Sequence, residues 1–260
     1  MSKALIVVGL MALALFFVPR IEQFKKRQQA TDELKKTQRE TGDKMKADLD
    51  RDGSISADTA AGASNDIRKS LEKFAAGGGP QAKEMKALAE VIGELQAITA
   101  SYNTLYKRLE TENPMSMATV KTKGDLASRR ALGREIIRRN DDILAFINTI
   151  EARLRTKLQT SGSDSASIEK FVKGFMSGFN QQASLLRRVR QCDKVIGTSL
   201  MAMADLLNAD WGKWKVQPGT ITFSTQASMA RYNALVGDAK KAANDQVAAQ
   251  REFVEYMQRK

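Results

Sequence analysis

The 260-residue sequence contains no histidine and one cysteine, Cys192. An intramolecular disulfide is therefore impossible, and a Cys/His zinc site or a dithiol redox pair has no ligands to draw on. Only 4 prolines are present, so little interrupts a helix. No glycine-rich phosphate loop, nucleophile elbow or paired-carboxylate motif occurs, which argues against an enzyme, although Asp, Glu, Lys or Tyr can catalyse without histidine. No nucleic-acid-binding motif is present either.

The material that is present favours helix. Hydrophobic residues make up 42% of the chain and charged residues 28%, enough apolar side chains for a sizeable core. An all-α protein is expected. The net charge is +12, and it is unevenly spread: residues 21–76 hold 12 basic and 11 acidic side chains, whereas residues 77–260 hold 28 and 19. The positive charge therefore belongs to the main body.

The longest uncharged apolar run, residues 4–18, follows the short basic start Met1-Ser2-Lys3. It is shorter than the roughly 20 residues that span a bilayer and long for the core of a cleaved signal. Its end, Phe16-Phe17-Val18-Pro19-Arg20, lacks the small residues of a cleavage site. An uncleaved membrane anchor is the expectation, with a cleaved signal and a buried hairpin as alternatives. Topology is contested between two signals. Arg20, Lys25, Lys26 and Arg27 after the run favour a cytoplasmic body, whereas the signal-like layout favours export. The reading adopted is an inner-membrane protein with a periplasmic body, a cytoplasmic body being the alternative.

The pattern divides the chain into an anchor or signal over 1–20, a charged helical stalk over 21–47, an Asp/Gly-rich linker with a short helix over 48–79, and a long helical bundle over 80–260. The linker ends in Gly77-Gly78-Gly79-Pro80, with Pro80 suited to a first helical turn. Beyond it, apolar residues recur at threes and fours in four long stretches, about 81–112, 125–159, 165–209 and 225–257. Asn113-Pro114 and Ser161-Gly162-Ser163 separate the first three, and Ser224 is the expected N-cap of the last. Short connections between long helices imply an elongated antiparallel bundle, with Ile147 and Leu200 facing a shared core. Phe171, Phe175 and Phe179 share one helical face and are expected to pack inside it. One segment breaks the helical pattern: residues 211–223 carry both tryptophans, Pro218-Gly219 and a brief alternating stretch, predicting a turn or two short strands at one end of the bundle.

Ile221-Thr222-Phe223, Gln226-Ala227 and Tyr232-Asn233-Ala234-Leu235 resemble the C-terminal region of an uncharacterised family of bacterial envelope helical lipoproteins. There, too, a short extended segment precedes a helix opening with a Tyr-Asn pair. The resemblance covers about the last fifth of the chain. It implies an exported, membrane-associated helical protein, and it offers no catalytic residues to transfer. The chain departs from that family in lacking a cysteine for lipid attachment after its apolar run.

Two groups of residues are candidate sites. Asp48, Asp50 and Asp52, followed by Gly53 and Ile55, match the opening of a calcium loop, where alternating oxygen ligands precede a glycine turn. The twelfth position is Thr59 instead of the closing bidentate Glu. Weak calcium binding and a solvated Asp-rich turn both remain open; no other cofactor is expected. Arg130, Arg134 and Arg138 form one helical row, and Arg187, Arg190 and Lys194 a second. Either suits an anionic surface of lipid or envelope polymer, but Glu135, Asp141, Asp142 and Asp193 are interleaved and can pair locally. The function read from the whole is a membrane-anchored, noncatalytic interaction or spacer protein with a protein or anionic-lipid partner and no nucleic acid. The alternative is a sensor-like ligand-binding bundle, weakly calcium-responsive.

Overall fold

The computed structural model describes residues 28–79, 81–217 and 220–258. The expected anchor, 4–18, and Pro80 lie outside them. Among the described residues no helix is long and apolar enough to cross a membrane. The chain is mostly helical: α1 (Gln28–Asp52), α2 (Ala57–Ala76), α3 (Ala82–Glu112), α4 (Lys123–Thr160), α5 (Ser165–Ala209) and α6 (Gln226–Gln258), with a 3₁₀ turn at Met117–Thr119 and a hairpin of β1 (Trp214–Gln217) and β2 (Thr220–Phe223) before α6.

Local chemistry sets the helix ends. The Ser56 hydroxyl accepts the Thr59 N–H at α2, and the Asp164 carboxylate accepts the Ser167 N–H at α5. At α4 Thr122 and Asp125 form a capping box, each side chain accepting the other's backbone N–H. At α6 the cap is Thr225, whose hydroxyl accepts the Ser228 N–H, so the helix opens one residue later than a Ser224 cap requires. Asn113, left-handed at φ 40°, closes α3 ahead of Pro114.

Cross-helix contacts define the packing. Lys83 Nζ donates to Gly162 O, which brings the α2–α3 and α4–α5 turns to one end of the molecule. Arg130 meets Asp205 and Lys194 meets Asp141, fixing α4 and α5 as antiparallel. Arg188 meets Glu252 and Asp193 meets Gln246, fixing α6 antiparallel to α5. On this register α6 ends well short of the start of α5, and α1 and α2 pack over α6 and α3, respectively. At 1.5 Å per residue the 45-residue α5 is about 65 Å long and runs from the turn end to the hairpin end. The α4–α5 crossing is close because it is made by glycine: a Cβ on Gly133 would lie 2.7 Å from the Gly197 carbonyl oxygen, and one on Gly197 would lie 2.9 Å from that of Gly133.

A contiguous core joins all six helices, and Ile147 and Leu200 are both in it. Phe175 and Phe179 stack at 5.5 Å inside it, with Phe171 half-buried alongside. The first third of the chain differs from the sequence reading. Helix α1 continues through the boundary expected at 47/48, and the stretch expected to be mostly linker holds the 20-residue α2. Ala57, Ala60, Ala63, Ile67, Leu71 and Phe74 of α2 are buried, so small side chains supply much of its contact face. Met45 and Leu49 of α1 enter the same core.

Candidate functional site

Midway along the bundle a layer of polar side chains replaces apolar ones. Tyr102 stands on the buried stripe of α3 between Leu95 and Leu109, and Asn140 on that of α4 between Ile136 and Ile143. Arg190 and Asp193 continue the α5 stripe from Leu186 to Ile196 and Leu200, and Gln246 and Gln250 lie on α6 between Ala242 and Phe253. Arg190 is 1% exposed and Asp193 0%. The guanidinium lies 3.2 Å from the Asp193 carboxylate. The Tyr102 hydroxyl donates to Asp193 Oδ2 at 3.1 Å, and Gln246 Nε2 donates to Oδ1 at 2.8 Å. Arg190 also covers the Tyr102 ring, 5.2 Å from its centroid.

Three helices thus converge on one carboxylate. Burial pushes the Asp193 carboxyl up to about 6 despite the adjacent guanidinium and the two donated hydrogen bonds. Burial, together with the neighbouring Asp193 charge, raises the Tyr102 phenol well above its ordinary value. Arg190 is held charged: burial opposes its cation, but the Asp193 carboxylate together with the Tyr102 and Cys192 side chains outweighs that effect. The layer is incompletely satisfied. Arg190 Nε and both amide heteroatoms of Gln250 have no hydrogen-bond partner among the described residues. Each such group costs about 1–3 kcal/mol relative to hydration, so the layer is an expensive place in the core. What it supplies is register. A slip of α6 along α5 removes Gln246 from Asp193, a penalty that a uniform apolar stripe would not impose.

Arg190 is therefore a correction to the sequence reading, which placed it on a solvent-facing basic row. Its row partners do lie outside: Arg187 is exposed and donates to Asn148 Oδ1, and Lys194 pairs with Asp141. A signal for the burial was present. Positions 186, 189, 190, 193, 196 and 200 form one helical stripe, and Arg190 and Asp193 occupy two of them. In the other row Arg130 pairs with Asp205, while Arg134 and Arg138 are exposed.

The three aspartates expected to open a calcium loop lie on the last turn of α1. Alternate positions on a helix diverge by about 200°, so Asp50 points away from Asp48 and Asp52. Arg51 bridges those two, and Asp48 Oδ2 also accepts the Ser56 N–H at 3.0 Å. The Thr59, Ser56 and Arg51 contacts outweigh burial and hold the Asp48 carboxyl below its ordinary value. Asp48 thus ties the α1–α2 turn together. Among the described residues no group of three or more acidic or Cys side chains is arranged to hold a metal.

The hairpin forms where the sequence expected it. Trp214 pairs with Phe223 and Val216 with Ile221, the Trp214 indole N–H donates to the Leu207 carbonyl, and Phe223 packs on Tyr232 at 5.3 Å. Tyr232, in the second turn of α6, thereby holds the hairpin to the helix. No protein-family model, curated protein or solved structure matches this chain.

Proposed function

We propose that this chain is a membrane-anchored, noncatalytic helical spacer of the bacterial envelope, held by residues 4–18 in the inner membrane with its body in the periplasm. The observation that supports this reading best is the unbroken 45-residue α5, lined by α4 and α6, which gives the body a long axis with a different structure at each end. Its charged side chains largely serve that axis. Arg153 and Lys157 of α4 meet Glu94 of α3, Arg155 meets Glu169 of α5, and Arg188 of α5 meets Glu252 of α6. Such exposed pairs contribute roughly 0–1 kcal/mol each and leave the helices aligned more than they make them stable.

The test is fractionation of the full chain beside a form lacking residues 4–18. The full chain is expected to stay in the membrane through a high-salt wash, because burial of an apolar segment is not screened by salt. The shortened chain is expected in the soluble fraction. Salt release of the full chain would overturn the anchored reading, and a reporter at Lys260 that is active only in the cytoplasm would reverse the assigned topology.

A further inference from the structure

The large apolar side chains that stand exposed among the described residues are three: Trp211 at 37%, Val216 at 41% and Met229 at 42%. All three fall between the end of α5 and the first turn of α6, so they share one end of a molecule about 65 Å long. Scattered exposed apolar residues require no explanation, but their confinement to one end does. The charges around them are also distinctive. Lys121, Lys123, Lys213 and Lys215 are exposed there, with Lys123 Nζ 6.0 Å from the Trp211 ring centroid. The nearby carboxylates are engaged. Asp125 accepts the Lys121 and Thr122 N–H groups, Asp205 pairs with Arg130, and Asp210 accepts the Ser228 hydroxyl and faces Lys213 at 3.9 Å. Lys121, Lys123 and Lys215 are left with no carboxylate in salt-bridge range among the described residues. Arg134 and Arg138 extend the same positive charge along α4, at helical spacing from Lys123.

We propose that this hairpin end docks on an anionic lipid surface, with Trp211, Val216 and Met229 entering the headgroup region and Lys121, Lys123 and Lys215 meeting lipid phosphates. The combination selects the occupant. A soluble polyanion rewards the lysines but gains nothing from Val216 or Met229. A folded protein partner requires relief matched to these side chains, whereas a deformable bilayer does not. Tryptophan is favoured at that boundary because its ring is apolar and its N–H polar, and lysine near an anionic membrane adds attraction that salt screens. The proposal rests on the spacer reading, for which it names the partner at the end opposite the start of α1. That placement follows from the Thr37–Ser70 contact between α1 and α2, which sets the first turns of α1 beside the α2–α3 turn.

The test uses the chain's own fluorescence, since both of its tryptophans, Trp211 and Trp214, lie in this end and none lies in residues 4–18. Full-length protein is mixed with vesicles of brominated phosphatidylglycerol or of brominated phosphatidylcholine. The expected result is a blue shift and quenching with the anionic vesicles alone, reversed by high salt. Lys123→Gln with Lys215→Gln should weaken the anionic response roughly tenfold or more while leaving the helical circular dichroism unchanged. Equal quenching by both lipids, no quenching by the anionic one, or no effect of the double substitution would overturn the proposal. So would an emission shift produced by soluble polyphosphate and not by vesicles, which would mark a polyanion site. Flotation of the same samples separates the two readings: a chain that floats with unquenched tryptophans overturns the docking and leaves the anchored spacer standing. Quenched tryptophans on a chain that carbonate washing strips from its native membrane support the docking and overturn the anchor.

Discussion

The middle of the bundle and its hairpin end invert each other's chemistry. In the middle, a guanidinium, a carboxylate, a phenol and three amides are shut away from water, whereas at the hairpin end Trp211, Val216 and Met229 face it. Both arrangements run against the usual sorting of polar outside and apolar inside, and the difference lies in what each can recover. The buried layer recovers part of its desolvation cost through the Asp193 contacts and, in exchange, defines how α3, α5 and α6 line up. The hairpin end recovers less within the chain: Trp211 meets Trp214 edge-on and has the Lys123 ammonium near its ring, but Trp211, Val216 and Met229 each keep more than a third of their surface in water. A surface of that kind is explained by an environment outside the molecule, so the first region speaks to architecture and the second to interaction.

The sharpest way to break the comparison is to remove one partner of the buried pair. Arg190→Ala leaves the Asp193 carboxylate buried without its cation and is expected to cost about 3–5 kcal/mol, seen as a large fall in melting temperature or urea midpoint. Replacing both partners, Arg190→Met with Asp193→Leu, is expected to recover most of that stability, because two well-packed apolar side chains carry no desolvation penalty. A double variant as unstable as the single one would mean that the pair contributes net stability beyond specifying register.

How much of this was legible in the sequence depends on how each element announces itself. The four long helices and the hairpin were readable because their signals are local: the spacing of Leu88, Ile92 and Leu95, the Asn113-Pro114 break, the alternation around Pro218-Gly219. Helix α2 was read short because its buried face is built from Ala57, Ala60 and Ala63, residues whose helical role depends on α3 and whose composition alone resembles a linker. The Gly133–Gly197 crossing was invisible for a related reason, since neither glycine indicates which helix approaches it. The candidate sites were harder. Arg190 was assigned to the surface on its charge, although its place in the Leu186–Leu200 stripe pointed inward. Asp48, Asp50 and Asp52 match a loop motif in spacing, but α1 runs on through Asp52 and turns that spacing into divergent directions.

A smaller effect sharpens the account of the polar layer. The Asp193 carboxyl lies at about 6 in the folded chain and near 3.8 when unfolded, so the folded state binds its proton more readily. Its contribution to stability is therefore greatest below pH 3.8 and is lost as pH rises through 6, on the order of 2–3 kcal/mol across the window. Arg190 and Tyr102, the other ionisable groups in contact with it, stay cationic and neutral throughout. Asp48, Glu94, Asp125, Asp164 and Glu169, whose folded values are lowered, act in the opposite sense and lose stability as pH falls. The informative quantity is thus a difference. The melting temperature of wild type minus that of Asp193→Asn is expected to grow as pH is lowered from 7 to 4; a difference that shrinks would show the folded state holding Asp193 as a carboxylate more firmly than the unfolded chain does.

The smallest effect is expected at the hairpin end, and its smallness is the point. If Trp211 and Met229 are exposed because they await an external surface, Trp211→Ser removes only an edge-on contact with Trp214 and Met229→Ser little that the folded chain uses, and each should change stability by no more than about 0.5–1 kcal/mol. Trp214 is the internal control. It lies in the same short segment, but its indole N–H is bonded to the Leu207 carbonyl, and its strand partner Phe223 packs on Tyr232. Trp214→Ser should therefore be clearly the more damaging change, in the range of a few kcal/mol for a packed aromatic. Thermal melts of the three variants decide it. Equal losses at Trp211 and Trp214 would mean that both rings hold the hairpin to the bundle, and the apparent inversion at that end would reduce to ordinary packing.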